Sequence, residues 1–194
     1  MANTLIQQQD HQLVPWKNGL GMTREVANAH DADGAMLWRI SLATVDRDGP
    51  FSDFTGYKRI IMLLEGKGMT LDFGAHGSAV MDQPFVPVPF DGAWPTSATL
   101  HDGPTRDLNV VTSAEKATGA VALLEPASSA MELAPSHAIT LLYVLRGAAR
   151  AAVAGETWSM ATGEALRLDG AGQSGTLTGQ QDDTLVYRID IDLA

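Results

Sequence analysis

Ile61-Met62-Leu63-Leu64-Glu65-Gly66-Lys67-Gly68 is an apolar run closed by a glycine turn, and 81 residues later Leu142-Tyr143-Val144-Leu145-Arg146-Gly147-Ala148-Ala149 repeats the pattern. A short apolar run bounded by glycine reads as a buried strand entering a tight hairpin. Two further segments recur almost in register. Pro89-Phe90-Asp91-Gly92 superposes on Arg167-Leu168-Asp169-Gly170 at an offset of 78, and at the same offset Asp107-Leu108-Asn109-Val110-Val111 lands on Leu185-Val186-Tyr187-Arg188-Ile189. Three segments in order, each with a turn or strand character of its own, describe one strand-rich unit written twice.

The rest of the chain agrees with an all-β fold. Residues 5–12 read as an initial strand or extended arm, and residues 23–27 as a strand leaving a glycine-rich loop. In Leu37-Trp38-Arg39-Ile40-Ser41-Leu42-Ala43-Thr44-Val45 the side chains alternate: Trp38, Ile40 and Leu42 share one face, Arg39, Ser41, Ala43 and Val45 the other. Alternation is the strand signature, and it leaves Arg39 and Ser41 facing either solvent or a cavity. Residues 46–56 form a long turn with two aromatic anchors, Phe51 and Phe54. Residues 83–90 carry three prolines, which suits a sheet edge because proline donates nothing to a ladder. Residues 94–100 and 106–111 read as two more strands, and residues 112–118 as a polar bridge or helical turn. Short strands continue to the end, with no long helix. An apolar strand, a glycine hairpin, a second turn and a closing strand is the layout of a cupin, a small jelly-roll barrel. The expected fold is therefore a double-stranded β-helix, a jelly-roll bicupin with an N-terminal half at residues 1–111 and a C-terminal half at residues 112–194.

Composition narrows the function. A chain of 194 residues buries a substantial core. Its formal net charge of -10 opposes nucleic acid and anionic membranes, both of which select basic patches. It has no cysteine, which excludes thiol catalysis, disulfides and thiolate metal sites. The first residues lack a basic segment followed by an apolar core, and no apolar run reaches membrane-spanning length, so a cytoplasmic protein is expected. If the chain self-associates, a twofold homodimer is the expected form. The five histidines, His11, His30, His76, His101 and His137, are far apart in sequence. The two-histidine spacing that puts both imidazoles on one strand face for a metal is missing, so no metal or cofactor is expected.

What remains is a set of polar groups on strands and one unusual loop. Pro15-Trp16-Lys17-Asn18-Gly19-Leu20-Gly21-Met22-Thr23-Arg24-Glu25-Val26 combines turn residues with a flat ring, an amide, a hydroxyl and a forked cation. Arg39 and Arg59 interrupt strongly apolar strands, and a buried guanidinium requires partners. With Arg106, Asp107 and Asn109 on the strand that closes the first half, these residues place the site in that half; the second half is rich in alanine there. Either acidic neighbours such as Asp107 or Glu25 saturate the arginines and the cluster is structural, or the cluster is an anion site.

These residues also fall into ordered blocks: Trp16-Lys17-Asn18-Gly19-x-Gly21-x-Thr23-Arg24-Glu25, Trp38-Arg39-Ile40-Ser41, Asp48-Gly49-Pro50-Phe51-Ser52, Gly56-Tyr57-x-Arg59, Leu64-Glu65-Gly66-x-Gly68, Phe90-Asp91-Gly92 and Arg106-Asp107-x-Asn109. Together they resemble the HutD/Ves family over about the first 111 residues, and more loosely to the end. Leu20 stands where the family usually has a third loop glycine, which narrows or reshapes the loop. The resemblance implies a metal-lacking bicupin associated with bacterial histidine utilisation. It also implies a role in modulating that pathway by binding an intermediate, N-formylglutamate or urocanate being the candidates.

The two lines of reasoning meet in a small carboxylate ligand. Arg59 is the expected main clamp, with Arg24 or Arg39 as the second. Asn18, Ser41 and Asn109 would orient the ligand, Thr23 adds the loop's hydroxyl to the binding set, and Trp16 or Trp38 would wall the pocket. The rival reading is a metal-independent isomerase or hydrolase acting on a small acid, with Glu25, Glu65, Asp107 or His101 as base. A third is an interaction protein with a vestigial pocket.

Overall fold

The structure, a computed structural model, describes residues 3–16 and 22–194. These residues form β1 (Thr4–Ile6), β2 (Gln12–Pro15), β3 (Met22–His30), β4 (Met36–Val45), β5 (Gly49–Pro50), β6 (Tyr57–Glu65), β7 (Met69–Asp72), β8 (Ser78–Met81), β9 (Pro87–Asp91) and β10 (Ser97–Leu100). They continue with β11 (Thr105–Ser113), β12 (Ala117–Leu124), β13 (Met131–Leu133), β14 (Ile139–Arg146), β15 (Ala148–Val153), β16 (Glu156–Ala161), β17 (Ala165–Asp169), β18 (Gly175–Gly179) and β19 (Leu185–Leu193). Among the described residues, helix is limited to two single 3-10 turns, Gln8–Asp10 and Gly74–His76.

The strands build two units. The first is His11–Ala117, with a six-stranded sheet in the order β2-β3-β4-β11-β6-β9 and a four-stranded sheet β5-β10-β7-β8. The second is Thr118–Ala194 together with the described residues up to Asp10. Its sheets run β1-β17-β14-β19-β12 and β13-β18-β15-β16. The order β9-β6-β11-β4 in one unit matches β17-β14-β19-β12 in the other, and β5-β10-β7-β8 matches β13-β18-β15-β16. The repeat read from sequence is thus a repeat of topology.

Several details differ from the sequence reading. The first residues join the second unit rather than the first, because β1 pairs antiparallel with β17. The division between units falls at Ala117/Thr118. Residues 112–118 form no helix: β11 runs to Ser113 and β12 starts at Ala117 after a short turn. The strand expected at 94–100 is only Ser97–Leu100, because Trp94 N–H closes a turn onto the Asp91 carbonyl at 3.1 Å. The closing strands align at an offset of 79, not 78. Asn109 pairs with Ile61 while Arg188 pairs with Leu142, the residue 81 positions after Ile61. The proline-rich β9 lies at the edge of its sheet, where its missing donors cost nothing.

Each unit holds its own core between its sheets. In His11–Ala117 the cluster includes Val45, Ile61, Leu63, Met69, Leu71, Phe73, Met81, Phe90 and Ala98. In the second unit it includes Leu142, Val144, Ala151, Met160, Leu166, Leu168, Leu177 and Val186. Each fully buried aliphatic side chain of this kind contributes about 1.5–3 kcal/mol. The hairpin from β6 to β7 needs Gly68. Its φ is +90°, and a Cβ there would lie 2.0 Å from the Met81 carbonyl oxygen.

Register across β4, β11 and β6 fixes what the first unit's inner face carries. Arg39, Val111 and Arg59 form one cross-strand row; Ser41, Asn109 and Ile61 form the next; Ala43, Asp107 and Leu63 the third. Directly paired residues in antiparallel strands share a face. Polar and apolar side chains therefore stand together on the face that holds the core.

Candidate functional site

A cavity of about 430 Å³ opens on this mixed part of the sheet, inside the His11–Ala117 unit. The sheet contributes Thr23 from β3, Arg39, Ser41, Ala43 and Val45 from β4, Tyr57 and Arg59 from β6, and Asp107 and Asn109 from β11. Residues 50–55, including Phe51 and Phe54, close one side, and Val14, Pro15 and Trp16 form another part of the wall.

Of the residues expected from sequence, Trp16, Thr23, Arg39, Ser41, Arg59 and Asn109 line this one cavity. Asn18 lies outside the described residues. Arg24 and Trp38 are corrected: neither is in the cavity wall. Each is the immediate neighbour of a lining residue, Thr23 or Arg39, and adjacent strand residues point to opposite faces. Trp38 is fully buried, as is Ile40 on its side of β4, and Arg24 is exposed. The same alternation that put Arg39 and Ser41 on the cavity side excludes Trp38.

Arg59 is the centre of the arrangement. It is only 7% exposed. Its Nη2 donates to Asn109 Oδ1 at 2.5 Å, and Asn109 Nδ2 donates in turn to Asp107 Oδ1. Its guanidinium carbon lies 4.8 Å from the ring centre of Phe90, 5.0 Å from Phe54 and 5.3 Å from Phe51. Three ring faces stabilise the cation without neutralising it. Burial lowers the Arg59 pKa to about 10; Asp107 opposes the shift and Arg39 adds to it. Arg59 therefore remains a cation at neutral pH, and its Nε has no hydrogen-bond partner among the described residues.

Asp107 is 1% exposed, and burial pushes its carboxyl up to about 7 against the opposing effects of Arg59 and the Asn109 hydrogen bond. Its Oδ2 has no hydrogen-bond partner among the described residues. Arg39 is held differently. Its Nη1 meets Glu25 Oε1 at 3.2 Å, and Asn28 Nδ2 donates to Glu25 Oε2 at 2.8 Å. The Arg39 guanidinium also sits 5.2 Å from the Phe54 ring centre, so Phe54 contacts both cations. Trp16 Nε1 donates to Thr23 Oγ1 at 2.8 Å, which leaves the threonine hydroxyl proton available to the cavity.

Backbone bonds hold the aromatic loop over the arginines. Phe51 N–H donates to Thr96 O at 2.8 Å, Phe54 N–H to Gly92 O at 3.0 Å, and Gly92 N–H to Tyr57 O at 2.9 Å. Gly92 is needed for this close approach: a Cβ would lie 2.4 Å from Phe54 O and 2.8 Å from Tyr57 O. Sequence reasoning named the two phenylalanines as anchors and did not place them against Arg59. The available signal for Phe51 was the block Asp48-Gly49-Pro50-Phe51-Ser52, which precedes the block of Arg59; Phe54 lies in none of the ordered blocks. Among the described residues, no group of three or more His, Asp or Glu is placed to hold a metal ion, and no helix is long and apolar enough to cross a membrane.

The HutD family model matches residues 8–186. The chain belongs to the HutD family. Its relatives include an uncharacterized 21.2 kDa protein in the hutC 3' region of Pseudomonas putida, 32% identical over 169 residues, covering 86% of each chain. Among solved structures, the conserved protein of unknown function PA5104 from Pseudomonas aeruginosa PAO1 superposes with a TM-score of 0.89 at 28% identity, covering 99% of this chain and all of that one. HutD from Pseudomonas fluorescens SBW25, in a structure described as the formate condition, superposes with a TM-score of 0.83 at 26% identity over the whole of both chains. An oxalate decarboxylase from Lactobacillus farciminis shares the fold at 11% identity, with a TM-score of 0.69 over 98% of this chain and 86% of that one. The protein is a cupin-fold member of a family associated with histidine utilisation.

Proposed function

We propose that this protein is a non-catalytic cytoplasmic binder of a small carboxylate, and that it modulates histidine catabolism by sensing an intermediate such as N-formylglutamate or urocanate. The observation that carries the reading is Arg59. It is a buried cation, held by rings and an amide carbonyl rather than by an ion pair, in the wall of a cavity of ligand size. A carboxylate supplies the missing counter-charge and accepts in a directional, charge-assisted contact. Arg39 shares its charge with Glu25, so Arg59 is the main clamp and Arg39 the second. Ser41, Thr23 and Asn109 supply neutral hydrogen bonds, while Trp16, Phe51 and Phe54 give flat apolar walls.

A second reading, a metal-independent enzyme, is favoured by one observation. Asp107 is a buried carboxyl in the cavity wall, divided between its two protonation states near neutral pH, as a general acid or base requires. The other bases considered do not support it. Glu25 is paired with Arg39 and Glu65 with Arg106 at 3.1 Å, and neither lines the cavity. His101 is exposed and meets Thr70 Oγ1 at 3.0 Å.

The test is a thermal-shift and calorimetric screen against N-formylglutamate, urocanate, glutamate and formate, with and without divalent metal. A ligand at 100 times its dissociation constant stabilises the fold by about 2.7 kcal/mol. The expected result is a metal-independent shift with one histidine-pathway acid, which is recovered unchanged. Conversion of the acid on prolonged incubation would replace the binder by the enzyme. No shift with any acid would remove the carboxylate site.

A further inference from the structure

The polar wall of the cavity contains a carboxyl group where a site for anions should avoid one. Asp107 is in the row next to Asn109 on β11, one row from Ser41 and two from the arginines. An ionised carboxylate in that wall repels the ligand that Arg59 attracts. It is not absorbed into an ion pair either, since Arg59 Nη2 goes to Asn109 Oδ1 and the Asp107 Oδ1 atom accepts from Asn109 Nδ2. Its second oxygen, Oδ2, is buried and has no hydrogen-bond partner among the described residues. An unsatisfied buried oxygen of this kind requires a proton and an acceptor, or a donor. A bound carboxylate is an acceptor only.

We propose that Asp107 is a ligand-contacting residue that, as the neutral acid, donates a hydrogen bond from Oδ2 to the bound carboxylate, so that binding is coupled to proton uptake. The inference rests on the carboxylate-binding reading above and adds to it a second recognition element of opposite character to the arginine. The proton balance is simple. Where Asp107 is ionised in the free protein, it takes one proton from solvent as the ligand enters; where it is already protonated, none is taken up. The Asn109 amide suits this division of labour. It occupies Oδ1 as a donor and leaves Oδ2 as the protonated oxygen.

The titratable groups around Asp107 are Arg59 and Tyr57 on β6, Arg39 on β4 with its partner Glu25 on β3, and Asp53 in the aromatic loop. Of these, Arg59 holds the Asp107 carboxyl down, and burial works against it more strongly. A ligand carboxylate that engages Arg59 removes part of that restraint, so ligand and proton bind cooperatively.

The sign follows from linkage. Affinity is greatest at low pH, where Asp107 is already neutral, and falls as pH rises through and above about 7, by up to tenfold per pH unit. The experiment is calorimetric titration of the full-length protein with N-formylglutamate and with formate from about pH 6 to about pH 8.5; both probes stay ionised throughout. Each titration is repeated in buffers of different ionisation enthalpy to count protons. The wild type should lose affinity with rising pH and take up close to one proton at the upper end. Asp107→Asn, whose amide donates at every pH, should bind with an affinity that no longer changes with pH and without net proton uptake. Wild-type affinity that is independent of pH, or an unchanged slope in Asp107→Asn, would overturn the proposal while leaving the binder intact. Failure of both probes to bind at every pH would overturn both readings together. Should Asp107→Asn not fold, the proton count on the wild type decides alone.

Discussion

The two units place an arginine on the same inner face and treat it in opposite ways. By register, Thr140 stands where Arg59 stands, Arg188 where Asn109 stands, Asp190 where Val111 stands and Val186 where Asp107 stands. In the second unit the Arg188 Nε meets both oxygens of Asp190, at 3.0 Å and 2.8 Å. Thr140 Oγ1 donates to Asp190 at 2.6 Å, and His137 Nε2 lies 3.8 Å from its other oxygen. There the arginine is ion-paired and the Asp190 carboxylate has partners on both oxygens. In the first unit the cation receives an amide carbonyl and three rings, and the carboxyl two positions along the strand has an unpartnered oxygen among the described residues. One scaffold thus carries a completed ion pair and an uncompleted one. A completed pair stabilises its surroundings. An uncompleted one keeps its binding capacity for something else.

Exchanging each arginine for methionine should therefore produce opposite losses, and this is the largest effect expected. Arg59→Met should weaken carboxylate binding at least tenfold, about 1.4 kcal/mol or more. Stability should fall less than in Arg188→Met, because relief of the guanidinium's desolvation offsets part of what its contacts and the Asn109 hydrogen bond contribute. Arg188→Met should leave binding unchanged and cost about 1–3 kcal/mol of stability, because Asp190 then loses its charge partner in a largely buried place. Calorimetric binding and denaturant melts of both variants check the pair. Equal losses in both measurements would abolish the contrast.

The glycines at the second turn sharpen it further. Gly92 and Gly170 occupy the same place in the repeat and look alike in sequence. A Cβ on Gly92 would collide with Phe54 O and Tyr57 O, whereas a Cβ on Gly170 meets nothing within 4 Å and is opposed only by its φ of +97°. Gly92→Ala should push out the loop that carries Phe54, with a stability cost of about 1–3 kcal/mol. Carboxylate binding should fall severalfold with it. Gly170→Ala should cost about 1 kcal/mol of local strain and leave binding alone. Equal effects on binding would mean that the aromatic loop does not shape the site.

These contrasts show how far the sequence could be read. The repeat and the all-β character were visible because hairpin glycines and apolar strands are local signals. Alternation along residues 37–45 gave the side of β4 on which Arg39 and Ser41 lie. The same rule, applied strictly, would also have removed Trp38 and separated Arg24 from Thr23. The pairing of β1 with β17 was invisible, because nothing in three residues names a partner some 160 positions away. The meeting of Phe51, Phe54 and Phe90 around Arg59 was equally hidden. It depends on backbone contact between a loop and Gly92, a tertiary approach with no local periodicity. The offset of 79 between the closing strands followed from register across the sheet, and a one-residue slip there matters because it decides which residue replaces Asn109.

The smallest expected effect tests what the rings contribute. Leu168 occupies the place of Phe90 in the second unit, where it packs in an apolar cluster and offers no ring face. Phe90→Leu makes the two rows alike. It removes the ring nearest Arg59 and the stacking of Phe90 on Phe73, whose centres are 5.1 Å apart. A cation–π contact with a desolvated arginine is worth about 0.5–2 kcal/mol, and the leucine recovers part of the lost burial. Stability should fall by about 1 kcal/mol. Binding should fall no more than about threefold, because Phe51 and Phe54 still hold the guanidinium and its charge is unchanged. Phe90 does not line the cavity, so a loss as large as that of Arg59→Met would show that its ring positions the guanidinium for the ligand rather than merely sheltering it. A loss of stability with binding intact would place the Phe90 ring on the side of the fold and leave recognition to the groups that line the cavity.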